Sequence, residues 1–152
     1  MVWKPDVTVA ALVEREGRFL LVEERIGGRL VFNQPAGHVE DGESLLTAVI
    51  RETLEETGWR FVPESLLGLY LWRSPRGHST LRIAFTGTVE QFDAQHALDP
   101  PVIATHWLLR EQVVARTSQL RTALVLQCVD DYLSGRRLPL AAVADALAHP
   151  AY

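Results

Sequence analysis

The hydrophobic and polar positions along the chain predict short strands on either side of one long helix, followed by further helices. Six runs are rich in β-branched or aromatic residues and are bounded by turn-forming residues, which is the pattern of β-strands. These predicted strands cover residues 7–13, 19–24, 30–32, 66–73, 80–89 and 106–109. The first two are joined by a short turn that ends at Gly17, and they predict a β-hairpin. Residues 33–38 contain Pro35 and Gly37 and are predicted to form a loop.

The strongest helix signal covers residues 45–57, which contain neither proline nor glycine. Residues 41–44 offer a serine N-cap and early negative charge, and Gly58 stands where a left-handed C-terminal residue is expected. Two more helices are predicted over 110–115 and 118–132. Strands, a helix, strands and helices in this order predict an α/β fold with a mixed sheet and helices on its faces.

Length and composition exclude several classes of protein. The chain has 152 residues, of which 47% are apolar and 22% charged, so one globular domain over 1–152 is expected rather than disorder. Fifteen basic against nineteen acidic side chains give a net charge of −4, which disfavours a nucleic-acid partner. No apolar run is long enough for a membrane span, and the single cysteine, Cys128, excludes an intramolecular disulfide. We therefore expect a cytoplasmic monomer or homodimer.

Three glutamates of the long helix, Glu52, Glu55 and Glu56, are the strongest candidates for chemistry. Their spacing places them on one side of the helix, where an acidic face open to water would be the ordinary explanation. Apolar residues cover most of the remaining circumference, however, so these carboxylates are expected at the edge of a core. There they raise one another's pKa unless a cation offsets the repulsion, and Mg²⁺ or Mn²⁺ prefers such oxygen ligands. Arg51 either forms an ordinary surface ion pair or fixes the direction of a carboxylate.

Residues 37–59 resemble the Nudix box, in which Gly, Glu and an Arg-Glu-apolar-any-Glu-Glu-any-Gly segment recur at fixed spacing. The charged and glycine positions of that pattern are held here by Gly37, Glu43, Arg51, Glu52, Glu55, Glu56 and Gly58. Thr53 is the one departure, since an aliphatic residue is usual there. Further segments are similar to the NudJ-type bacterial phosphatases of this family, namely 3–10, 22–24, 32–38 and 81–82.

The resemblance implies an α/β/α sandwich in which the box forms a loop–helix–loop. It also implies Mg²⁺-dependent hydrolysis of a phosphoanhydride bond, with Mn²⁺ as a substitute. The implied metal ligands are Glu52, Glu55, Glu56 and the backbone carbonyl of Ala36. Either Glu52 or Glu55 would be the base that activates water, and Arg51 would orient a glutamate. Gly37, Glu43 and Gly58 would be structural, although Glu43 is equally explained as negative charge at a helix N-terminus.

For the substrate, the resemblance implies nucleoside di- or triphosphates, or the pyrophosphates of thiamine and its hydroxymethylpyrimidine precursor. The amides of Asn33 and Gln34 suit the edge of a base or pyrimidine, and Arg82 suits a phosphate. Phe32 either stacks on such a ring or belongs to the core, and the core is favoured. The alternatives are an enzyme that releases pyrophosphate from nucleoside triphosphates, a non-catalytic Nudix module that only binds its ligand, and a hydrolase of RNA ends.

The stretch before the last predicted strand departs from the family. Many members have a glutamate in the loop that precedes the tryptophan of this strand, facing the metals. Here residues 98–103 contain two prolines in that region. Asp99, Glu90 or Asp93 is therefore the candidate for a distal acidic ligand.

Overall fold

The computed structural model describes residues 1–145, and the last seven residues of the predicted domain, 146–152, lie outside the described residues. Eight strands and three α-helices follow one another along this part of the chain. In order they are β1 (Asp6–Arg15), β2 (Arg18–Ile26), β3 (Arg29–Asn33), β4 (Ala36–His38), α1 (Leu45–Thr57), β5 (Arg60–Arg73), β6 (Ser79–Glu90), β7 (Val102–Leu109), α2 (Arg110–Val114), α3 (Leu124–Leu133) and β8 (Leu138–Pro139).

The strands form a mixed sheet of order β3-β2-β1-β6-β5-β8, to which β4 adds beside β1 and β7 beside β2. The parallel pair is β1 and β6, in register from Asp6 opposite Thr80 to Val13 opposite Gly87. The other pairs of named strands are antiparallel. The predicted hairpin of β1 and β2 and the predicted mixed sheet are confirmed.

Helices cover both faces of the sheet. Alternate residues of β1 point to opposite faces: Val9 and Ala11 join a core with Val49 of α1, while Ala10 and Leu12 join a core with Cys128 and Val129 of α3. A third cluster, formed by Leu21, Phe32, Leu108, Val113 and Val125, lies between β2, β3, β7 and helices α2 and α3. The predicted α/β/α sandwich is confirmed, and Phe32 and Cys128 belong to the core. Within residues 1–145 no helix is long and apolar enough to cross a membrane.

Two predictions about local structure are wrong, each because a distant segment supplies hydrogen bonds. The predicted loop 33–38 contains β4, whose residues pair with β1, Val9 lying opposite Gly37. The predicted helix 118–132 is a 3₁₀ turn over Thr117–Gln119 followed by α3, which begins only at Leu124. Arg121 between them donates its backbone N–H to Phe32 at 2.8 Å, so this segment pairs with β3 instead of continuing a helix.

Several strands are longer than predicted, and β8 was not predicted. β5 begins at Arg60, opposite Glu90 of β6, although the polar residues at 63–65 interrupt the apolar pattern. A register shift between Pro63 and Ser65 accommodates the proline, which cannot donate to a regular ladder. β8 covers two residues that pair with Ser65 and Leu66 of β5.

Candidate active site

Helix α1 has a well-defined beginning and end, which fixes the position of its carboxylates. The hydroxyl of the N-cap, Ser44, accepts the backbone N–H of Thr47 at 3.0 Å. At the other end Gly58 has a φ of 73° and donates its N–H to the carbonyl of Leu54. A side chain at Gly58 would also lie 2.8 Å from the carbonyl oxygen of Asp93. The predicted helix over 45–57 is therefore confirmed at both ends.

One side of α1 faces a cleft of about 710 Å³. Glu52 and Glu56 line this cleft together with Ala36 and Gly37 of β4. The rest of the lining comes mainly from β1, β2, β5, β6 and the segment that leads into α3. The carboxylates of the predicted box thus meet a space large enough for a small organic phosphate.

Glu56 is the most deeply placed of the three glutamates, with 8% of its surface exposed. Its Oε2 accepts the backbone N–H of Ala36 at 3.0 Å. Burial, together with the nearby carboxylates of Glu24 and Glu52, raises the pKa of Glu56 to about 8, and this hydrogen bond opposes the rise.

Glu52 lies against the backbone of Gly37. A Cβ built on Gly37 would come within 2.1–2.3 Å of the Glu52 carboxylate, so only glycine leaves room for this acid. Burial raises the pKa of Glu52, and hydrogen bonding to Arg51 opposes that effect. Glycine is therefore required at position 37 because it leaves space for the Glu52 carboxylate beside β4.

Arg51 holds two of the three glutamates. Its Nη1 donates to Glu52 Oε1 at 2.8 Å and to Glu55 Oε2 at 3.2 Å. Glu55 is the more accessible of these acids, with 35% of its side chain exposed, and it does not line the cleft. This placement suits Arg51 to orient carboxylates.

Glu43 binds the same arginine from the loop before α1. Arg51 Nε and Nη2 donate to its two oxygens at 2.7 and 3.0 Å, and Arg51 Nη2 also donates to the carbonyl of His38 at 3.1 Å. Glu43 Oε2 in turn accepts the backbone N–H of Glu40 at 3.0 Å. The hydrogen bonds from Arg51 lower the pKa of Glu43. Glu43 thus ties the loop between β4 and α1 to the helix.

The donors at this site fit a divalent cation. Glu52 and Glu56 are largely buried carboxylates whose pKa values are raised by burial, so a cation would stabilise their anionic forms. Carboxylate and carbonyl oxygens are the ligands that Mg²⁺ prefers. Within residues 1–145 no three acidic, histidine or cysteine side chains are already converged on one point. Arg51 binds Glu52 and Glu55 through the same guanidinium nitrogen, which keeps these two carboxylates close together.

The three predicted substrate-binding residues form one hydrogen-bonded group, but only two of them line the cleft. Arg82, 5% exposed, donates from Nη1 to Gln34 Oε1 and from Nη2 to Asn33 Oδ1, both at 3.0 Å. Gln34 is 1% exposed and donates its amide to the carbonyl of Val125 at 2.8 Å. Both ends of this amide are therefore engaged inside the protein, and Gln34 does not line the cleft. Asn33 and Arg82 do line the cleft.

Sequence reasoning missed Glu24, a buried acid of the cleft wall. Glu24 of β2 is 5% exposed, its pKa is raised by burial, and Arg121 Nη1 lies 3.4 Å from its Oε2. Arg121 also lines the cleft, as do Thr8 and Trp72. The sequence signal for Glu24 was its position: it is an acidic residue in the same predicted strand as the apolar run 19–22.

The candidates for a distal acid lie away from the cleft. The loop that contains Asp99 packs on the C-terminal end of α1, where the Asp99 backbone N–H donates to the carbonyl of Glu55 at 3.0 Å. Asp93 donates in the same way to Gly58, and Glu90 pairs with Arg60 on the surface. None of these three acids lines the cleft, whereas Glu24 does.

The chain is similar to known proteins over most of its length. The NUDIX domain family matches residues 3–127. Phosphatase NudJ of Escherichia coli (strain K12) is 38% identical over 143 residues, which cover 94% of this chain and 93% of that protein. A NUDIX hydrolase from Nitrosomonas europaea is 42% identical, with a TM-score of 0.93 and coverage of 96% of this chain and 100% of that one. The MutT protein from Methanosarcina mazei Go1 is 25% identical, with a TM-score of 0.71 and coverage of 90% and 100% respectively.

Proposed function

Because this chain belongs to the NUDIX family and is a hydrolase of that family, we propose that it cleaves a phosphoanhydride bond in a small diphosphate-containing substrate. The proposed product is orthophosphate, and the proposed cofactor is Mg²⁺, with Mn²⁺ as a substitute. The observation that carries the proposal is the set of carboxylates held by Arg51 and Ala36 at the edge of the cleft.

The proposed metal ligands are Glu52, Glu55, Glu56 and the backbone carbonyl of Ala36. When bound there, the cation would neutralise phosphate oxygens and lower the pKa of water. The backbone N–H of Ala36 fixes Glu56, and Gly37 provides space for Glu52. The chain therefore holds two of its acids in place through the backbone of β4.

Proton transfer from the attacking water requires a carboxylate base. Glu52 and Glu55 are the two candidates, because each accepts a hydrogen bond from Arg51 and is thereby oriented. Arg51 itself is a positioning residue, since its guanidinium is occupied by Glu43, Glu52 and Glu55. Its charge also opposes the rise that burial causes in the pKa of Glu52.

The proposed substrates are nucleoside di- or triphosphates, or a thiamine-related pyrophosphate. Asn33 and Arg82 line the cleft with hydrogen-bond donors, and Arg82 adds a positive charge to a lining that contains Glu52 and Glu56. The relatives named Phosphatase NudJ support release of orthophosphate rather than pyrophosphate.

A direct test measures the products formed from several substrates. Nucleoside di- and triphosphates, thiamine pyrophosphate and a sugar diphosphate are incubated with Mg²⁺ in ¹⁸O-water, and ³¹P NMR identifies the products. We expect orthophosphate from a nucleoside diphosphate, and loss of activity in EDTA. Glu55→Gln and Glu56→Gln should each lower kcat by about 10²-fold with the fold retained, because transition-state charge is less well stabilised.

Two other outcomes would replace the proposal. Pyrophosphate from triphosphates, with diphosphates left intact, would assign the chain to the pyrophosphate-releasing enzymes of the family. Ligand binding without turnover under any condition would instead assign a non-catalytic binding module. Near-wild-type kcat in both glutamine variants would remove the assignment of α1 as the metal site.

A further inference from the structure

Among the Phe, Tyr and Trp side chains of residues 1–145, Trp72 alone lines the cleft. Phe32, which the sequence offered as a stacking partner, is 7% exposed and packs in the third core cluster. Its ring meets His106 edge-on at 5.6 Å, and the guanidinium of Arg116 lies 5.4 Å from it. The ring of Phe32 is therefore already covered, whereas Trp72 is half-buried at the cleft wall.

The strand register places Trp72 beside a polar floor. Trp72 of β5 lies opposite Thr80 of β6, and Thr80 lies opposite Asp6 of β1. In the next row of the sheet, Arg82 lies opposite Thr8. All five residues line the cleft. Paired residues of neighbouring strands share a face of the sheet, so an aromatic wall adjoins hydroxyl and guanidinium groups.

The position of this wall is fixed by the hairpin that follows it. The turn between β5 and β6 is closed by the backbone N–H of Ser74, which donates to the carbonyl of His78 at 2.7 Å. The ring of His78 lies 2.7 Å, Nε2 to Oδ2, from Asp6 of β1. The end of β5 that bears Trp72 is thus tied to a neighbouring strand, which reduces the entropy lost when a ligand packs on it.

The floor has hydrogen-bonding capacity that the protein does not use. Thr8 Oγ1 and Arg82 Nε are the two buried side-chain atoms without a hydrogen-bond partner within residues 1–145. The neighbouring thiol of Cys128 is a weak acceptor, and burial keeps its pKa raised. Turning Thr8 about χ1 to present its hydroxyl to the cleft breaks no hydrogen bond. An aliphatic group would leave the Thr8 hydroxyl unpaired, whereas an oxygen or nitrogen acceptor of a heterocycle would pair with it.

We infer that Trp72 is the stacking wall for a planar heteroaromatic ring carried by the substrate, with Thr8, Thr80 and Arg82 facing the polar edge of that ring. The cleft of about 710 Å³ has room for such a ring beside its phosphates. This inference rests on the proposed function and assigns to Trp72 the recognition of the heteroaromatic ring that the proposed substrates share.

Binding is tested first, without metal or turnover. A nucleoside monophosphate is titrated into the full chain in EDTA, with tryptophan fluorescence and calorimetry as readouts. Wild-type fluorescence should be quenched, Trp72→Phe should bind without that quench, and Trp72→Ala should bind about tenfold more weakly, as expected for a lost stacking contact. Trp3→Ala removes an exposed tryptophan that does not line the cleft, and it should bind like wild type.

Kinetics then separate ring recognition from a general loss of fold. Trp72→Ala should raise KM about tenfold for a nucleoside diphosphate and leave kcat within about threefold, while KM for methyl diphosphate stays unchanged. Trp72→Phe should restore most of the affinity. Thr8→Val should weaken nucleotide binding at unchanged melting temperature, because its buried hydroxyl oxygen has no partner to lose.

Each result is decisive for one proposal. Equal KM changes for methyl diphosphate and the nucleotide in Trp72→Ala, or nucleotide quenching that persists in Trp72→Phe, would overturn the inference about the wall. Nucleotide binding that depends on Trp72, in a chain that hydrolyses none of the phosphates tested, would support the wall and refute the proposed function.

Discussion

The backbone of Gly37 lies directly against the carboxylate of Glu52. A substitution at Gly37 therefore tests whether the position of this carboxylate matters. A methyl group at position 37 would overlap the end of a flexible side chain rather than the backbone. The Glu52 side chain can turn away at little cost to the fold. A substitution at this position should therefore lower activity while leaving stability almost unchanged.

We expect Gly37→Ala to lower kcat about as much as Glu52→Gln does, by roughly 10²-fold, because both remove the same carboxylate from its place. The melting temperature should stay close to that of wild type. The double variant Gly37→Ala/Glu52→Gln should be no slower than Glu52→Gln alone, since both changes act on one group. Additive losses in the double variant would show that Gly37 acts through something other than Glu52.

Glu56 predicts a pH dependence of stability in the metal-free protein. Its pKa is about 8 in the folded state against 4.5 for an exposed glutamate, because burial disfavours the charge. Between these values the folded state binds more protons than the unfolded state, so the free energy of unfolding falls as pH rises from about 4.5 through 8. The melting temperature in EDTA should fall over this range, and it should fall less in Glu56→Gln.

The difference between the two proteins isolates Glu56 from other titrating groups, and glutamine keeps an oxygen for the Ala36 N–H. Parallel curves for wild type and Glu56→Gln would contradict the assignment of a raised pKa to this residue. Mg²⁺ should raise the melting temperature of wild type more than that of the variant, because the ion binds the ionised carboxylate.

At the scale of elements, the loop before α1 contains two acids near Arg51, Glu43 and Glu40, and Glu43 is the one that ties the loop to the helix. Glu43 accepts two hydrogen bonds from Arg51, and only 10% of its side chain is exposed. Glu40 approaches the same guanidinium no closer than 3.9 Å, with 70% of its side chain exposed. The first contact is a charge-assisted fork, and the second is a weak surface pair.

Glu43→Gln should therefore lower kcat about tenfold and weaken Mg²⁺ binding, because Arg51 loses its anchor and orients Glu52 and Glu55 less well. Glu40→Gln is the matched control and should change either quantity less than twofold. Metal affinity can be read from the Mg²⁺-dependent rise in melting temperature. Equal effects of the two variants would contradict the role of Glu43 as the anchor.

The sequence predicts the elements that are held by local contacts and misses those that depend on contacts with distant segments. Helix α1 has its predicted bounds because Ser44 and Gly58 cap it through contacts within the segment. The short strand β4 exists only because β1 lies beside it, and the helix predicted from 118 fails because Arg121 bonds to Phe32. No residue within those segments signals its distant partner.

At the scale of the whole molecule, the cleft combines residues that lie as far apart in the sequence as Asp6 and Leu124. The glutamates of α1 were predictable because a fixed spacing within one helix holds them. Trp72 and Glu24 were not, since they reach the cleft through the pairing of β5 with β6 and the packing of β2. The sequence therefore predicts the side chains that α1 presents to the cleft far better than those that the strands bring to it.

The parallel pairing of β1 with β6 also has a consequence for the protein while the ribosome synthesises it. At about 5–20 residues per second of synthesis, β1 leaves the ribosome several seconds before its partner is complete. During that interval the edge of β1 from Asp6 to Val13, which β6 later covers, is open to any other extended chain. A nascent chain stalled before Ser79 therefore exposes an unpaired, mostly apolar edge, and chaperone binding or aggregation should concentrate on such chains.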